Sequence, residues 1–256
     1  MPGRRLGQHF LTSPSILERI AEAASPSTAS TIVEIGPGKG ALTQYLLSRT
    51  PRLVAIEIDQ VLVHYLQQKF RDAENLAIIN NDVLKADLAQ WGPVAVTGNL
   101  PYYITSPIVE RVLSLGPLLQ RAVFLVQREV AERMSAVPGT RDYGYLSVQV
   151  QLLAEPKILF HVAPGAFRPP PRVDSSVIRL ERRTEPLIDD IQGFLAFTSA
   201  CFRQKRKTLR NNLLGHYEKP VIEALPEAGK RAEQLSIPEL ISIYRRIGLT
   251  GSARVR

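Results

Sequence analysis

A single cysteine, Cys201, among 256 residues leaves the chain without an internal disulfide and without a cysteine-rich zinc or iron–sulfur site. A lone cysteine is most often a small buried hydrophobe in a reducing compartment. Long apolar runs are also missing: nothing approaches the ~20 residues that span a bilayer. The basic start, Arg4-Arg5, is not followed by the apolar core of a secretory signal. These absences point to a soluble, cytoplasmic protein that is not secreted. Acidic residues are in short supply, 24 against 32 lysines and arginines, which leaves a net charge of +8. That excess favours a polyanionic partner, nucleic acid before acidic membrane. The hydrophobic share of 45% is ordinary for a globular chain and too high for disorder.

At ~150 residues per domain, the length suits one large domain and one small one. Apolar runs at 31–35, 53–58, 76–79, 94–98 and 122–127 read as buried strands. Amphipathic stretches at 40–48, 60–70 and 106–115 separate them. Strands alternating with helix-length connectors predict an α/β fold with a doubly wound, mostly parallel sheet. Two further runs, 146–153 and 175–180, lack a long helical stretch between them and are expected to pair antiparallel at the sheet edge. Near Glu181-Arg182-Arg183 the texture turns polar, then helical over 187–204, 220–225 and 237–247, with Ser236 and Pro238 suited to start the last helix. The expected division is 1–183 and 184–256.

The first candidate site is the turn Glu34-Ile35-Gly36-Pro37-Gly38-Lys39-Gly40 after the first apolar strand. Glycines there let the backbone approach a ligand where side chains would clash. The spacing is neither the G-x-G-x-x-G of dinucleotide sites nor a P-loop, since Lys39 lies between glycines and no Gly-Lys-Ser/Thr follows. A cofactor without phosphates, such as S-adenosylmethionine, fits that departure. Glu57 ends the next strand, 21 residues after Gly36, in the register of a carboxylate that accepts from ribose hydroxyls. Asp59 is an alternative acceptor or a helix cap. Asp82 and Val83 follow the third strand and suit an adenine ring, the carboxylate on its amine and the valine on its face.

The fourth strand runs into Asn99-Leu100-Pro101-Tyr102. An adenine N6 amine is a poor nucleophile because its lone pair is delocalised. The Asn99 side-chain oxygen and the Leu100 carbonyl can each accept one N–H and turn that lone pair outward. Pro101 stiffens the loop, and Tyr102 gives a base a face on which to stack. The proline-dense run 164–176 supplies Phe167, expected to close the pocket opposite Tyr102. Arg203, Lys205, Arg206, Lys207 and Arg210 put five cations in eight residues. On one helix, 203, 206, 207 and 210 would share a face that fits phosphates, with Arg4, Arg5, Arg168 and Arg172 extending the basic rim.

These motifs together resemble the ribosomal RNA adenine N6,N6-dimethyltransferases, specifically the small-subunit group. The pieces are Gly7-Gln8-His9-Phe10-Leu11, Val33 through Gly38, Gly98 through Tyr102, Pro164 through Ser175 and Phe202 through Leu209, in family order. The resemblance implies a Rossmann-like class I methyltransferase sheet with a small all-helical C-terminal domain on the RNA side. It implies S-adenosylmethionine as donor, no metal, and two transfers to each of two adjacent adenines in a loop near the 3′ end of small-subunit rRNA. By position, His9, Leu11 and Glu34 join Gly36, Gly38, Glu57, Asp82, Val83 and Asn99 around the cofactor. Many relatives carry asparagine where this chain has His9; an imidazole still donates or accepts one hydrogen bond. The expected partner is small-subunit rRNA or a partly assembled subunit, met by a monomer. Rival readings are a large-subunit rRNA methyltransferase of the drug-resistance type, a non-catalytic assembly factor and an NAD-dependent oxidoreductase. The glycine spacing argues against the last.

Overall fold

Parallel strands covered on both faces require nearly continuous apolar sequence, and the central strands of this chain meet that demand. The computed structural model describes residues 9–249. Arg4, Arg5, Gly7 and Gln8 lie outside that range. After β1 (Phe10–Leu11) and α1 (Pro14–Ala24) come β2 (Thr31–Ile35), α2 (Thr43–Leu46), β3 (Arg52–Glu57), α3 (Gln60–Lys69) and β4 (Leu76–Asn80). The chain continues through β5 (Val94–Asn99), α4 (Thr105–Leu113), β6 (Leu119–Gln127), α5 (Arg128–Ser135) and α6 (Tyr145–Leu153). Strands β7 (Ala154–Val162), β8 (Phe167–Arg168) and β9 (Ser175–Arg182) follow. The helices α7 (Ile191–Cys201), α8 (Leu209–Leu213), α9 (Lys219–Glu223) and α10 (Ile237–Leu249) complete the described chain.

The sheet has seven strands in the order β4-β3-β2-β5-β6-β9-β7. Strands β4 through β6 pair in parallel, whereas β9 is antiparallel to both β6 and β7. The doubly wound, mostly parallel sheet is therefore present. Connections leave β2 toward β3 on one side while β5 lies on the other, so a crevice opens beyond the carboxyl ends of β2 and β5. Ligands of open α/β sheets bind in such a crevice. Gly98 makes the close approach of these two strands possible. A Cβ there would sit 2.4 Å from the Ile35 carbonyl oxygen, a backbone atom that cannot swing aside. Gly98→Ala is expected to lower stability by about 3 kcal/mol, at the upper end of ordinary overpacking, as read from urea unfolding.

By its contacts the chain forms two units, one of residues up to Ala131 with Leu153–Thr184, the other of Glu132–Leu152 with residues from Glu185 onward. A single boundary near 183 leaves the 132–152 stretch on the wrong side of that division. The same stretch corrects a second expectation: 146–153 is helix α6 rather than an edge strand, and the edge strand that pairs antiparallel with β9 is β7. Leu146, Val148, Val150 and Leu152 alternate as a strand would, but Ser147 and Gln149 between them are buried too. A segment buried on every side carries no helical stripe to read. Polar groups within it find partners in the same unit. Ser147 Oγ donates to the Arg133 carbonyl at 2.6 Å, and Gln151 Nε2 to those of Met134 and Ala136 at 3.0 and 2.8 Å.

The first unit keeps a core of Leu17, Ile20 and Ala21 on α1, Ile32, Leu46, Leu53, Val123, Leu125 and Val177. In the second, α7 buries Phe194, Phe197 and Cys201. Burial pushes the Cys201 thiol well above the usual range, so it is an inert packing group. As the sequence suggests, Ser236 caps α10: its N–H and hydroxyl donate to Glu239 Oε2 at 2.8 and 2.7 Å.

Candidate active site

The carboxyl ends of β2, β3, β4 and β5 line a pocket together with His9, Phe10 and Leu11. Its floor is the glycine turn. Gly36, Gly38 and Gly40 all have positive φ, at 63°, 59° and 73°. Gly38 also lies against Phe10, whose ring would be 2.9 Å from a Cβ at that position. The turn thus presents bare backbone to the cavity, as close approach of a ligand requires.

Glu57 is buried at the end of β3, and backbone amides hold both its oxygens. Gly38 N–H donates to Oε2 at 3.1 Å and Asp59 N–H to Oε1 at 3.0 Å. Each oxygen keeps further lone-pair capacity for a ligand hydroxyl. Asp59 itself is a cap: its Oδ1 accepts from Val61 N–H at 2.8 Å and starts α3. Glu34, buried near the end of β2, accepts from Thr43 Oγ1 at 2.7 Å. Burial raises its pKa from 4.5 to about 7; the Thr43 bond pulls the other way and the nearby Glu57 charge adds to the rise. Asp82 and Val83 reach the same cavity from the loop after β4. The Asp82 carboxylate is steadied by Leu84 N–H at 3.0 Å, and Val83 is buried.

Asn99 stands at the end of β5. Its Nδ2 donates to the His9 carbonyl at 2.9 Å, which fixes the amide and leaves Oδ1 as the atom free to accept from a ligand. Leu100 is buried, with its N–H on the Leu125 carbonyl at 3.0 Å. Pro101 and Tyr102 continue into a single 3₁₀ turn over Tyr102–Ile104. The Tyr102 hydroxyl meets Ser175 Oγ at 2.8 Å on β9. Burial raises the phenol pKa, with partial relief from Ser175, so the ring stays neutral.

His9 and Leu11 also line the pocket, on an arm tied down by β1–β8 pairing. His9 Nδ1 bonds the Pro169 carbonyl at 2.8 Å, and its ring stacks on Tyr102 with centroids 5.9 Å apart. The ring facing Tyr102 is therefore His9. Phe167 does not close the pocket: it is fully buried with Leu11, Val162 and Val177 in the first unit's core. On the two-residue strand β8, one side chain must face inward and the next outward, and Phe167 takes the inner place while Arg168 takes the outer. The sequence reading missed Phe10, Thr43, Ser175 and Tyr103 as site residues. Ser175 is 73 positions from its partner Tyr102, and no local pattern announces that meeting.

The basic segment also departs from expectation, since 203–208 forms turns rather than a continuous helix. Asn212 explains the break. Its Nδ2 donates to the Cys201 and Gln204 carbonyls at 2.7 and 3.2 Å, and its Oδ1 accepts from Gln204 N–H at 3.2 Å. The side chain thereby satisfies backbone groups that a helix would have used. Arg210 lies on α8 and pairs with Glu223 at 2.7 Å, and Lys205 donates to the Arg141 carbonyl. Arg203, Arg206 and Lys207 are exposed and make no ion pair among the described residues. No group of His, Cys, Asp and Glu suited to a metal occurs among them either.

The strand order, the glycine turn and the acidic strand ends together define a Rossmann-like methyltransferase. The sequence model of the family described as "Ribosomal RNA adenine dimethylase" matches residues 3–247. This chain belongs to that family. It is 45% identical to Ribosomal RNA small subunit methyltransferase A of Acidobacterium capsulatum, over 94% of this chain and 89% of that protein. The crystal structure of a dimethyladenosine transferase from Plasmodium falciparum superposes with a TM-score of 0.84 at 25% identity, covering 97% of this chain and 100% of that one. The 23S rRNA methyltransferase ErmE superposes less closely, with a TM-score of 0.74 at 29% identity over 93% and 99% of the two chains.

Proposed function

We propose that the chain is a small-subunit rRNA adenine N6,N6-dimethyltransferase that uses S-adenosylmethionine. One observation carries the reading: Asn99 lines the pocket at a strand end beside the glycine turn, with its Nδ2 engaged by the His9 carbonyl so that its Oδ1 is the acceptor it can offer a ligand. The pocket residues fit this cofactor. Glu57 suits the ribose hydroxyls, Asp82 and Val83 the adenine, and the backbone of Gly36 and Gly38 the methionine portion. When bound, S-adenosylmethionine supplies an electrophilic methyl group. Asn99 Oδ1 and the Leu100 carbonyl accept the two N–H hydrogens of the target amine and direct its lone pair at that methyl. Tyr102 holds the base by its aromatic face. The amine nitrogen would form the new N–C bond as the donor's methyl–sulfur bond breaks, the bonding pair passing to sulfur to leave a neutral thioether. The nitrogen, now positively charged and acidic, then gives its proton to water. Positioning accounts for much of the catalysis on this route.

The target adenine must be unpaired or extruded to enter the pocket. We propose that the chain acts as a monomer and, on a ribosomal substrate, in the cytoplasm. Arg203, Arg206 and Lys207, exposed and without an ion-pair partner among the described residues, supply phosphate contacts. Reversing these three to Glu is expected to weaken RNA binding at least about 100-fold at low salt and flatten its salt dependence. Cofactor affinity, measured by calorimetry, should not change.

The deciding experiment is transfer of labelled methyl to under-methylated small ribosomal subunits, with large subunits in parallel and nucleoside analysis of each RNA. N6,N6-dimethyladenosine confined to the small-subunit RNA supports the proposal. Label in the large-subunit RNA would move the chain to the activity that ErmE's name describes. Absence of label from both, with cofactor bound, would leave a non-catalytic binding role.

A further inference from the structure

We infer that Tyr103 is a stacking platform for the nucleotide next to the target base. The inference rests on the proposed RNA adenine substrate and adds a subsite to it. Exposure rises stepwise along the loop: Leu100 is buried, Tyr102 is partly covered, and Tyr103 lines the mouth of the pocket with 66% of its surface open to water. In a 3₁₀ turn, at three residues per turn, neighbouring side chains diverge by roughly 120°. Tyr102 turns toward Ser175 while Tyr103 points into solvent. The main chain beneath it is fixed, because the Pro101 carbonyl accepts from both Ile104 N–H at 3.2 Å and Thr105 Oγ1 at 3.1 Å. An aromatic ring is thus held at the rim where a strand of RNA would enter and leave.

The chemistry of base extrusion supplies the reason for a ring at that place. Moving one nucleotide into a pocket strips its neighbours of a stacking face. An exposed aromatic side chain at the pocket mouth can replace that face, and single-stranded RNA is commonly held in this way. Tyrosine suits the task, since it offers a large rigid face with only two side-chain torsions to order. Stacking reads the π-face alone, so this subsite accepts any base and ignores substituents on an exocyclic amine. The fold itself makes little use of the ring, so its removal leaves the core intact.

The full-length protein is assayed with under-methylated small subunits. Tyr103→Ala is expected to raise KM for the subunit about 10-fold or more, the loss typical of one stacked base, with KM for S-adenosylmethionine unchanged. Tyr103→Phe is expected to restore the wild-type value. A direct readout uses an adenine oligoribonucleotide with one 2-aminopurine: quenching on binding is expected with the wild type and Tyr103→Phe and lost with Tyr103→Ala. An unchanged KM in Tyr103→Ala would overturn the assignment. So would equal impairment by Phe and Ala, which would indicate a hydroxyl contact, or a parallel rise in both KM values, which would indicate a distorted pocket. If the wild type methylates neither subunit, the proposed function fails, and quenching decides Tyr103 by itself.

Discussion

Asn99→Ala is expected to lower kcat about 100- to 1,000-fold, the loss that follows removal of one preorganised polar partner from developing charge. The amine nitrogen gains positive charge as its bond to carbon forms, and Asn99 Oδ1 accepts one of the hydrogens that share it. Leu100 contributes only its carbonyl, so without Asn99 Oδ1 the target amine keeps one of its two proposed acceptors. Cofactor affinity should change far less, since the glycine turn and Glu57 remain in place. The loss therefore falls on kcat rather than on KM for S-adenosylmethionine, as single-turnover and steady-state kinetics will show. Asn99→Asp separates the two functions of this side chain. An oxygen acceptor is retained, but the donor to the His9 carbonyl, now at 2.9 Å, is gone. Two oxygens then repel each other and the carboxylate loses its orientation. An intermediate rate would show that acceptor chemistry and orientation contribute separately; a wild-type rate would remove the orienting role of His9.

Glu34 should make both stability and cofactor binding depend on pH. Its pKa is about 7 in the folded chain against 4.5 when unperturbed. Between these values the folded state holds a proton that the unfolded chain has released, so stability falls as pH rises through this window. Below pH 4.5 the group contributes no penalty, and above pH 7 the loss levels off at about 3 kcal/mol. Glu34→Gln cannot ionise, so its stability difference between pH 5 and pH 8 should shrink by about that amount in urea titrations. A cofactor that carries sulfonium and ammonium charges favours the ionised carboxylate. Binding below pH 7 is therefore expected to release a proton, and affinity to increase as pH rises to that point. Calorimetry in buffers of different ionisation enthalpy measures the proton directly, and no release at pH 6 would show that Glu34 does not sense the cofactor.

The parallel sheet made part of the site legible in advance. Strands that run in the same direction place their carboxyl ends in one row, so Gly36, Glu57, Asp82 and Asn99 meet at one cavity although 63 residues separate the first from the last. Local spacing was enough because the fold repeats one unit. Legibility stopped where tertiary partners decided. Phe167 and His9 are both aromatic and both near the pocket, and only the β1–β8 pairing determines which faces Tyr102. The α6 segment alternates like a strand because its polar residues are satisfied by carbonyls far away in sequence. The basic run looked helical until Asn212, several residues on, offered its amide to the backbone of 201 and 204.

The partner that orients Asn99 is a main-chain oxygen. Exchange of the residue at position 9 leaves that oxygen in place, so the site tolerates drift in side-chain identity there. Insertions and deletions are another matter. In the arm, Phe10 lies opposite Arg168 and Leu11 opposite Phe167, with Thr12 N–H on the Ala166 carbonyl at 2.8 Å. One residue added or lost between 9 and 12 would slide this register, send a core side chain outward and carry the His9 carbonyl away from Asn99. The arm functions as a ruler whose length is under tighter constraint than its lettering.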